Sequence, residues 1–105
     1  MKKTIAIVAG GDSSEHDVSL RSTEGIYSFL DKERYEVYII EIKGMTWEAH
    51  LKGGSRSNVD RNDFSFMEGG KRIRPDFAYI TIHGTPGENG ILQGYFDLIH
   101  LPYST

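Results

Sequence analysis

Two short stretches of the chain hold side chains whose types and spacing could do chemistry. The first, Gly10-Gly11-Asp12-Ser13-Ser14-Glu15-His16-Asp17, sets three carboxylates and a histidine beside a pair of glycines. The second, His83-Gly84-Thr85-Pro86-Gly87-Glu88-Asn89-Gly90, joins a histidine to a glycine-rich turn. Phosphate is a poor ligand for the first stretch. Gly10 and Gly11 lack the third glycine of a dinucleotide fingerprint, and no Gly-Lys-Ser/Thr of a phosphate loop occurs in the chain. Ser14-Glu15-His16-Asp17 fits the Ser-x-x-Asp pattern of a helix start, so Asp12, Glu15 and Asp17 crowd the positive end of a helix dipole where a phosphate would otherwise sit. A carboxylate held there and facing a cleft suits an ammonium group, and a primary amine is the ligand the charge pattern favours. Each residue also has a plainer reading. Glu15 can simply complement the helix dipole, His83 can be a cap or core histidine, and Gly84, Gly87 and Gly90 can be turn glycines.

The elements that must position these turns are legible on either side of them. Lys3 to Ala9 is a short apolar run ending in Gly10-Gly11, the pattern of a strand buried on both faces. The helix that starts at Ser14 should run to about Leu30, with Val18, Ser22, Gly25, Ile26, Phe29 and Leu30 on one face and the small Ser22 and Gly25 allowing close approach to a sheet. Asp31 to Arg34 is a charged connection, and Tyr35 to Ile42, rich in β-branched and aromatic residues, predicts a second, parallel strand. Strand, helix and strand make one right-handed crossover. Phe77 to Ile82 predicts another buried strand, delivering His83 to the same sheet edge as Glu15. A helix over Ile91 to Leu98, with Gly94 among its apolar residues, and a strand beginning at Leu101-Pro102-Tyr103 complete the pattern. The fold class is α/β, a Rossmann-like open parallel sheet flanked by helices. In such sheets ligands bind at the carboxyl ends of the strands.

The middle of the chain carries weaker signals. Met45 to Leu51 fits a short strand or a helical turn, and Ser55 to Asn62 reads as an exposed loop. Phe64 to Met67 and Lys71 to Arg74, flanking Glu68-Gly69-Gly70, predict a β-hairpin insertion. Six of the 12 lysines and arginines fall between Lys52 and Arg74. A phosphate-binding patch is one reading; a solvated edge hairpin blunted by basic residues is the commoner one.

Composition bounds the function classes. A chain of 105 residues, 38% apolar and 26% charged, is ordinary for one globular domain. A net charge of −3 gives no nucleic-acid surface, and no stretch approaches the ~20 apolar residues of a membrane helix. Cysteine is absent, which suits a reducing compartment. The apolar run after Lys2-Lys3 is shorter than the ~7–15 residues of a secretory signal, and the expectation is a cytoplasmic protein without membrane or nucleic-acid partners.

Gly10 to Ser22 (GGDSSEHDVSLRS) and His83 to Leu98 (HGTPGENGILQGYFDL), followed by LPYST, closely resemble the two signature segments of the N-terminal domain of bacterial D-alanine–D-alanine ligases, members of the ATP-grasp family. Asn89 stands where that family commonly has an acidic residue, and Tyr95-Phe96 replaces a more usual aliphatic pair. The resemblance implies that residues 1–105 are a substrate-binding, pre-ATP-grasp domain and that the central and C-terminal ATP-grasp domains lie outside the chain. It implies a two-step reaction in which ATP phosphorylates the carboxylate of one D-alanine and the amine of a second attacks the acyl phosphate, giving the dipeptide of peptidoglycan. Glu15 would then be the catalytic and substrate-binding residue that orients the first ammonium. His83 would lie near the substrate carboxylate, and Val18 would wall the methyl group. ATP and magnesium would be bound by the other domains, and helices of this one would contribute to a homodimer. Ligases taking D-lactate or D-serine as second substrate share these features. Two other classes stay open: a free-standing doubly wound small-molecule-binding module, and an interaction domain using the basic hairpin.

Overall fold

The computed structural model describes residues 2–10, 23, 25–81 and 90–104. Among the described residues there are eight strands: β1 (Lys3–Gly10), β2 (Tyr35–Lys43), β3 (Thr46–His50), β4 (Arg56–Asn58), β5 (Phe66–Glu68), β6 (Lys71–Ile73), β7 (Phe77–Ile80) and β8 (Tyr103–Ser104). Helix α1 is described at 23 and 25–29, and α2 spans Ile91–Leu98. Six strands form one sheet in the order β4-β3-β2-β1-β7-β8, and β5 and β6 form a separate hairpin.

β1 lies at the centre because it can be buried on both sides: Ala6, Ile7, Val8 and Ala9 are all at 0% exposure. It pairs in parallel with β2, from Lys3↔Tyr35 to Gly10↔Ile42, and with β7, from Ile5↔Phe77 to Val8↔Ile80. Beneath them Thr4 and Asp76 clamp the amino ends. The Thr4 amide donates to the Asp76 carboxylate at 2.8 Å, and the Asp76 amide donates to the Thr4 carbonyl at 2.7 Å.

The parallel sheet read from the sequence is thus present, with an antiparallel extension. β3 pairs antiparallel with β2, and β4 with β3. Met45 to Leu51 therefore holds a strand, and the loop expected over Ser55 to Asn62 contains another, followed by Val59, which is buried. The expected hairpin is also there, turning on Gly69 and Gly70 with φ of 59° and 78°. Two successive left-handed residues suit the twist of a two-residue hairpin turn and favour glycine. The hairpin is not an edge of the main sheet. Phe66 packs edge-on against Tyr38, with ring centroids 4.9 Å apart, and closes one sheet face.

That face holds most of the core. Ala6, Val8, Tyr38, Ile40, Ile42, Ala78 and Ile80 point from the sheet toward Phe64, Phe66, Leu92, Phe96 and Leu101. Phe64 is fully buried although its φ is 60°. Burying its ring contributes roughly 1.5–3 kcal/mol and aromatic edge contacts with Trp47, Tyr95 and Phe96 add to that, which outweighs the ~1–2 kcal/mol of a left-handed backbone.

The opposite face, carrying Ile7, Ala9 and Thr81, is covered by α1. Here the structure rotates the expected helix stripe. Gly25 is exposed with open space where a side chain would project, and Phe29 is 93% exposed. Thr23 is fully buried and Ile26, Tyr27 and Leu30 are half-buried, so the inward face is turned by about one residue. The cause is Thr23, a polar residue drawn inward by a hydrogen bond to Thr81. Val18 and Ser22, expected on the same stripe, lie outside the described residues. In α2 the inward residues are Leu92 and Phe96, and Gly94, expected among them, faces solvent.

Candidate functional site

Glu15, Val18 and His83 lie outside the described residues, as does Ile82 at the expected end of β7. The elements from which they depart are described, and these set the rim. β1 ends at Gly10 and β7 at Ile80, on neighbouring strands that run the same way, with Val8 opposite Ile80. Adjacent strands lie about 4.8 Å apart, so the carboxyl ends of β1 and β7 lie side by side at one edge of the sheet. The chain after β1 proceeds to α1 on one face; the chain after β7 proceeds to α2 on the other. From β1 the strand order also runs out one way through β2, β3 and β4 and then returns to β7 on β1's other side. Adjacent parallel strands whose connections leave to opposite faces open a crevice at their carboxyl ends, the switch point at which open α/β sheets bind ligands.

A buried polar contact braces this crevice from below. The amide and the hydroxyl of Thr81 both donate to the Val8 carbonyl, each at 2.9 Å, and the Thr81 and Thr23 hydroxyls are 2.7 Å apart. Thr81 is 8% exposed and Thr23 0%. Strand β1, the residue following β7, and α1 are joined here within one hydroxyl's reach. Sequence reasoning missed this pair, since a threonine in a strand pattern and another in a helix carry no local sign that they meet across 58 residues.

At the other end of the sheet a cavity of about 550 Å³ gathers Lys2, Lys52, Lys71, Arg72 and Arg74 with Glu36, Glu68 and Asp76. This is the basic patch read from the sequence, and its charges are largely engaged. Glu36 sits 3.7 Å from Lys2 and 3.5 Å from Lys52. Arg72 reaches Asp63 at 3.2 Å and Asp60 at 3.6 Å, and Arg74 donates to the carbonyls of Asp63 and Ile99. Glu68 accepts the Tyr38 hydroxyl at 2.6 Å, and burial followed by that carboxylate pushes the Tyr38 phenol pKa well up. The Ser65 hydroxyl and Arg72 hold Asp63 below the ordinary carboxylate range. Arg72 and Arg74 therefore brace the hairpin and the 60–65 loop, a structural role different from blunting a sheet edge.

Among the described residues no group of three His, Asp or Glu side chains could hold a metal ion, and no helix is long and apolar enough to cross a membrane.

The sequence matches the family model described as D-ala D-ala ligase N-terminus over residues 4–105. Among curated relatives, a D-alanine–D-alanine ligase of Phocaeicola vulgatus is 70% identical over 105 residues and one of Bacteroides thetaiotaomicron is 68% identical over 104, covering 100% and 99% of this chain. The chain spans about a third of their length, 32% in each case. Among solved structures, D-alanyl-alanine synthetase A from Vibrio cholerae superposes with a TM-score of 0.82 at 33% identity, covering 98% of this chain and 31% of that one. The VanG D-Ala:D-Ser ligase from Enterococcus faecalis gives the same TM-score, 0.82, at 26% identity, covering 98% of this chain and 35% of that one.

Proposed function

The chain belongs to the D-ala D-ala ligase N-terminus family, and from that premise we propose that residues 1–105 are the N-terminal domain of an ATP-dependent ligase that joins two D-alanines for peptidoglycan synthesis. The observation that carries the reading is topological. Of the two segments with chemistry-bearing residues, one follows β1 and the other follows β7, and those strands are parallel neighbours at a switch point.

In this reading the domain contributes the first D-alanine subsite. Glu15 pairs with the ammonium and orients it, His83 neighbours the carboxylate, and Val18 offers an apolar contact to the methyl group. ATP, held with magnesium by the ATP-grasp domains, activates the first carboxylate so that the amine of the second amino acid can attack it. The domain's own part is to fix one zwitterion in place, which lowers the entropy lost on reaching the transition state. The second substrate is not set by this fold, because the ligase from Vibrio cholerae and the D-Ala:D-Ser ligase superpose on it equally well. The work belongs to the cytoplasm, where ATP is available.

The test is Glu15→Gln in the full-length enzyme, which keeps the side chain's shape and removes its charge. A carboxylate paired with an ammonium in a partly desolvated cleft contributes about 2–3 kcal/mol, so the Michaelis constant for the first D-alanine should rise roughly 30- to 150-fold while that for ATP holds. A glutamate serving only the helix dipole would cost ~0.3–1 kcal/mol of stability and leave D-alanine binding intact. An unchanged Michaelis constant with a lowered melting temperature would therefore remove Glu15 from the site.

A further inference from the structure

We propose that the cavity at the amino ends of the strands is a binding site for a phosphate dianion, free or carried on a small molecule, held by the ammonium groups of Lys2, Lys52 and Lys71. The site lies at the opposite end of the sheet from the candidate substrate crevice and stands whether or not the ligase reading does. Its three lysines converge from separate parts of the chain: Lys2 precedes β1, Lys52 follows β3, and Lys71 opens β6. Lys71 carries the proposal. The hairpin register sets it directly opposite Glu68, where facing opposite charges ordinarily pair. That pair is not made. Glu68 accepts the Tyr38 hydroxyl at 2.6 Å instead, and among the described residues Lys71 has no hydrogen-bond or ion-pair partner.

The three ammonium groups have one carboxylate within ion-pair reach among the described residues, Glu36, which stands 3.7 Å from Lys2 and 3.5 Å from Lys52. Lys2 also donates to the Lys32 carbonyl at 3.0 Å. An ammonium carries three N–H donors, so these contacts leave most of the lysine donors open to a ligand. Glu68 and Asp76 are met by donors of the fold, the Tyr38 hydroxyl and the Thr4 amide, which lowers what their charge costs an incoming anion. The guanidinium forks, which suit a planar carboxylate, are committed elsewhere: Arg72 to Asp60 and Asp63, and Arg74 to the carbonyls of Asp63 and Ile99. What is left is a set of lysine point charges on three different elements, and these suit a compact, doubly charged, tetrahedral group. A volume of about 550 Å³ is larger than such a group needs and falls in the ~300–1,000 Å³ range of small-molecule sites, which leaves room for the rest of a small phosphorylated molecule.

The experiment titrates the full-length enzyme calorimetrically with inorganic phosphate, pyrophosphate and glycerol 3-phosphate at constant ionic strength, and repeats the titrations with Lys71→Ala, Lys71→Arg and the double variant Lys52→Ala/Lys71→Ala. Lys71 is exposed and its removal leaves no described group without a partner, so the Lys71 variants should melt at the parent temperature in anion-free buffer. The parent should bind at least one of the three anions. Lys71→Ala should weaken that binding roughly 10-fold and the double variant roughly 100-fold, the changes expected for one and two charge-assisted hydrogen bonds. Lys71→Arg keeps the charge and should stay within about threefold of the parent. Tightest binding of inorganic phosphate would identify the free ion as the ligand, and tighter binding of pyrophosphate or glycerol 3-phosphate would identify a phosphate on a larger molecule. Equal affinity in the parent and the double variant, the result if phosphate enters only a nucleotide site elsewhere in the enzyme, would overturn the proposal, as would a parent that binds none of the three. The Michaelis constants for D-alanine and ATP should stay at the parent values in every variant. Loss of anion binding accompanied by equal losses for D-alanine and ATP would trace the effect to the fold and overturn the proposal as well.

Discussion

Two phenols show how single residues register the packing around them. Burial, then the charges of Asp63 and Asp60, raise the Tyr95 pKa to about 12, and its hydroxyl donates to the Arg61 carbonyl at 2.6 Å. Tyr38 is shifted in the same direction by burial and by Glu68. In the unfolded chain both ionise near ~10. Between about pH 10 and 12 the unfolded state has therefore lost protons that the folded state keeps, so stability from these groups is complete below pH 10 and falls as pH rises through that window. Ultraviolet titration of the six tyrosines should show a late group that ionises after the others, diminished in Tyr38→Phe and in Tyr95→Phe. A single transition shared by all six would contradict the burial described here. At this scale the sequence was poor about contact. The cation preference read from Asp12, Glu15 and Asp17 falls on residues outside the described ones. Nothing local to Thr23, Thr81 or Tyr38 announces a partner, because each meets its partner through the tertiary fold.

Elements were legible where one force dominated. β1 is an apolar run buried on both faces, and β2 and β7, rich in β-branched and aromatic residues, alternate buried with half-buried positions, so each carries a clear strand pattern. β3 and β4 were hard to see because they lie at an exposed sheet end, where Glu41, Glu48, His50 and Arg56 form a charged ladder across three strands: Arg56 reaches Glu41 at 3.0 Å and Glu48 at 3.5 Å, and His50 reaches Glu41 at 3.0 Å. The helix faces were misjudged for a related reason, since counting apolar residues places Phe29 and Gly25 inside, where the structure leaves both exposed, and gives Thr23 no place there. The end of α2 was read correctly, but through an unusual residue. His100 has φ 58° at the position after the cap, its amide bonding the Asp97 carbonyl at 3.2 Å while the Leu101 amide bonds that of Phe96 at 2.9 Å. This two-bond closure normally uses glycine, which adopts a left-handed backbone without the Cβ clash. His100 is exposed, so His100→Gly loses no packing and should raise stability by about 0.5–1 kcal/mol, read as a shift of the urea midpoint at constant slope. An unchanged or lower midpoint would mean that the imidazole makes an interaction that offsets the strain.

For the molecule as a whole, the sheet order bears on the division of labour proposed for the ligase. A switch point gives a domain one wall of a crevice, built here from the ends of β1 and β7, and the relatives that share this fold carry twice as much chain again beyond the matched third. The strands of this wall are covered on one face by α2 and the hairpin and on the other by α1, and the radius of gyration of 12.7 Å matches the ~13 Å of a compact domain of this size. Residues 1–105 expressed alone should therefore fold, giving a cooperative thermal transition. They should bind D-alanine or ATP more weakly than about 1 mM, because a single wall recovers too little contact to offset the freedom a ligand loses on binding. Calorimetric titration beside a thermal melt separates the two expectations. A folded fragment that binds ATP tightly would move the nucleotide site into this domain and sink the division of labour proposed for the ligase. A fragment that does not fold would instead show that the wall relies on the rest of the enzyme.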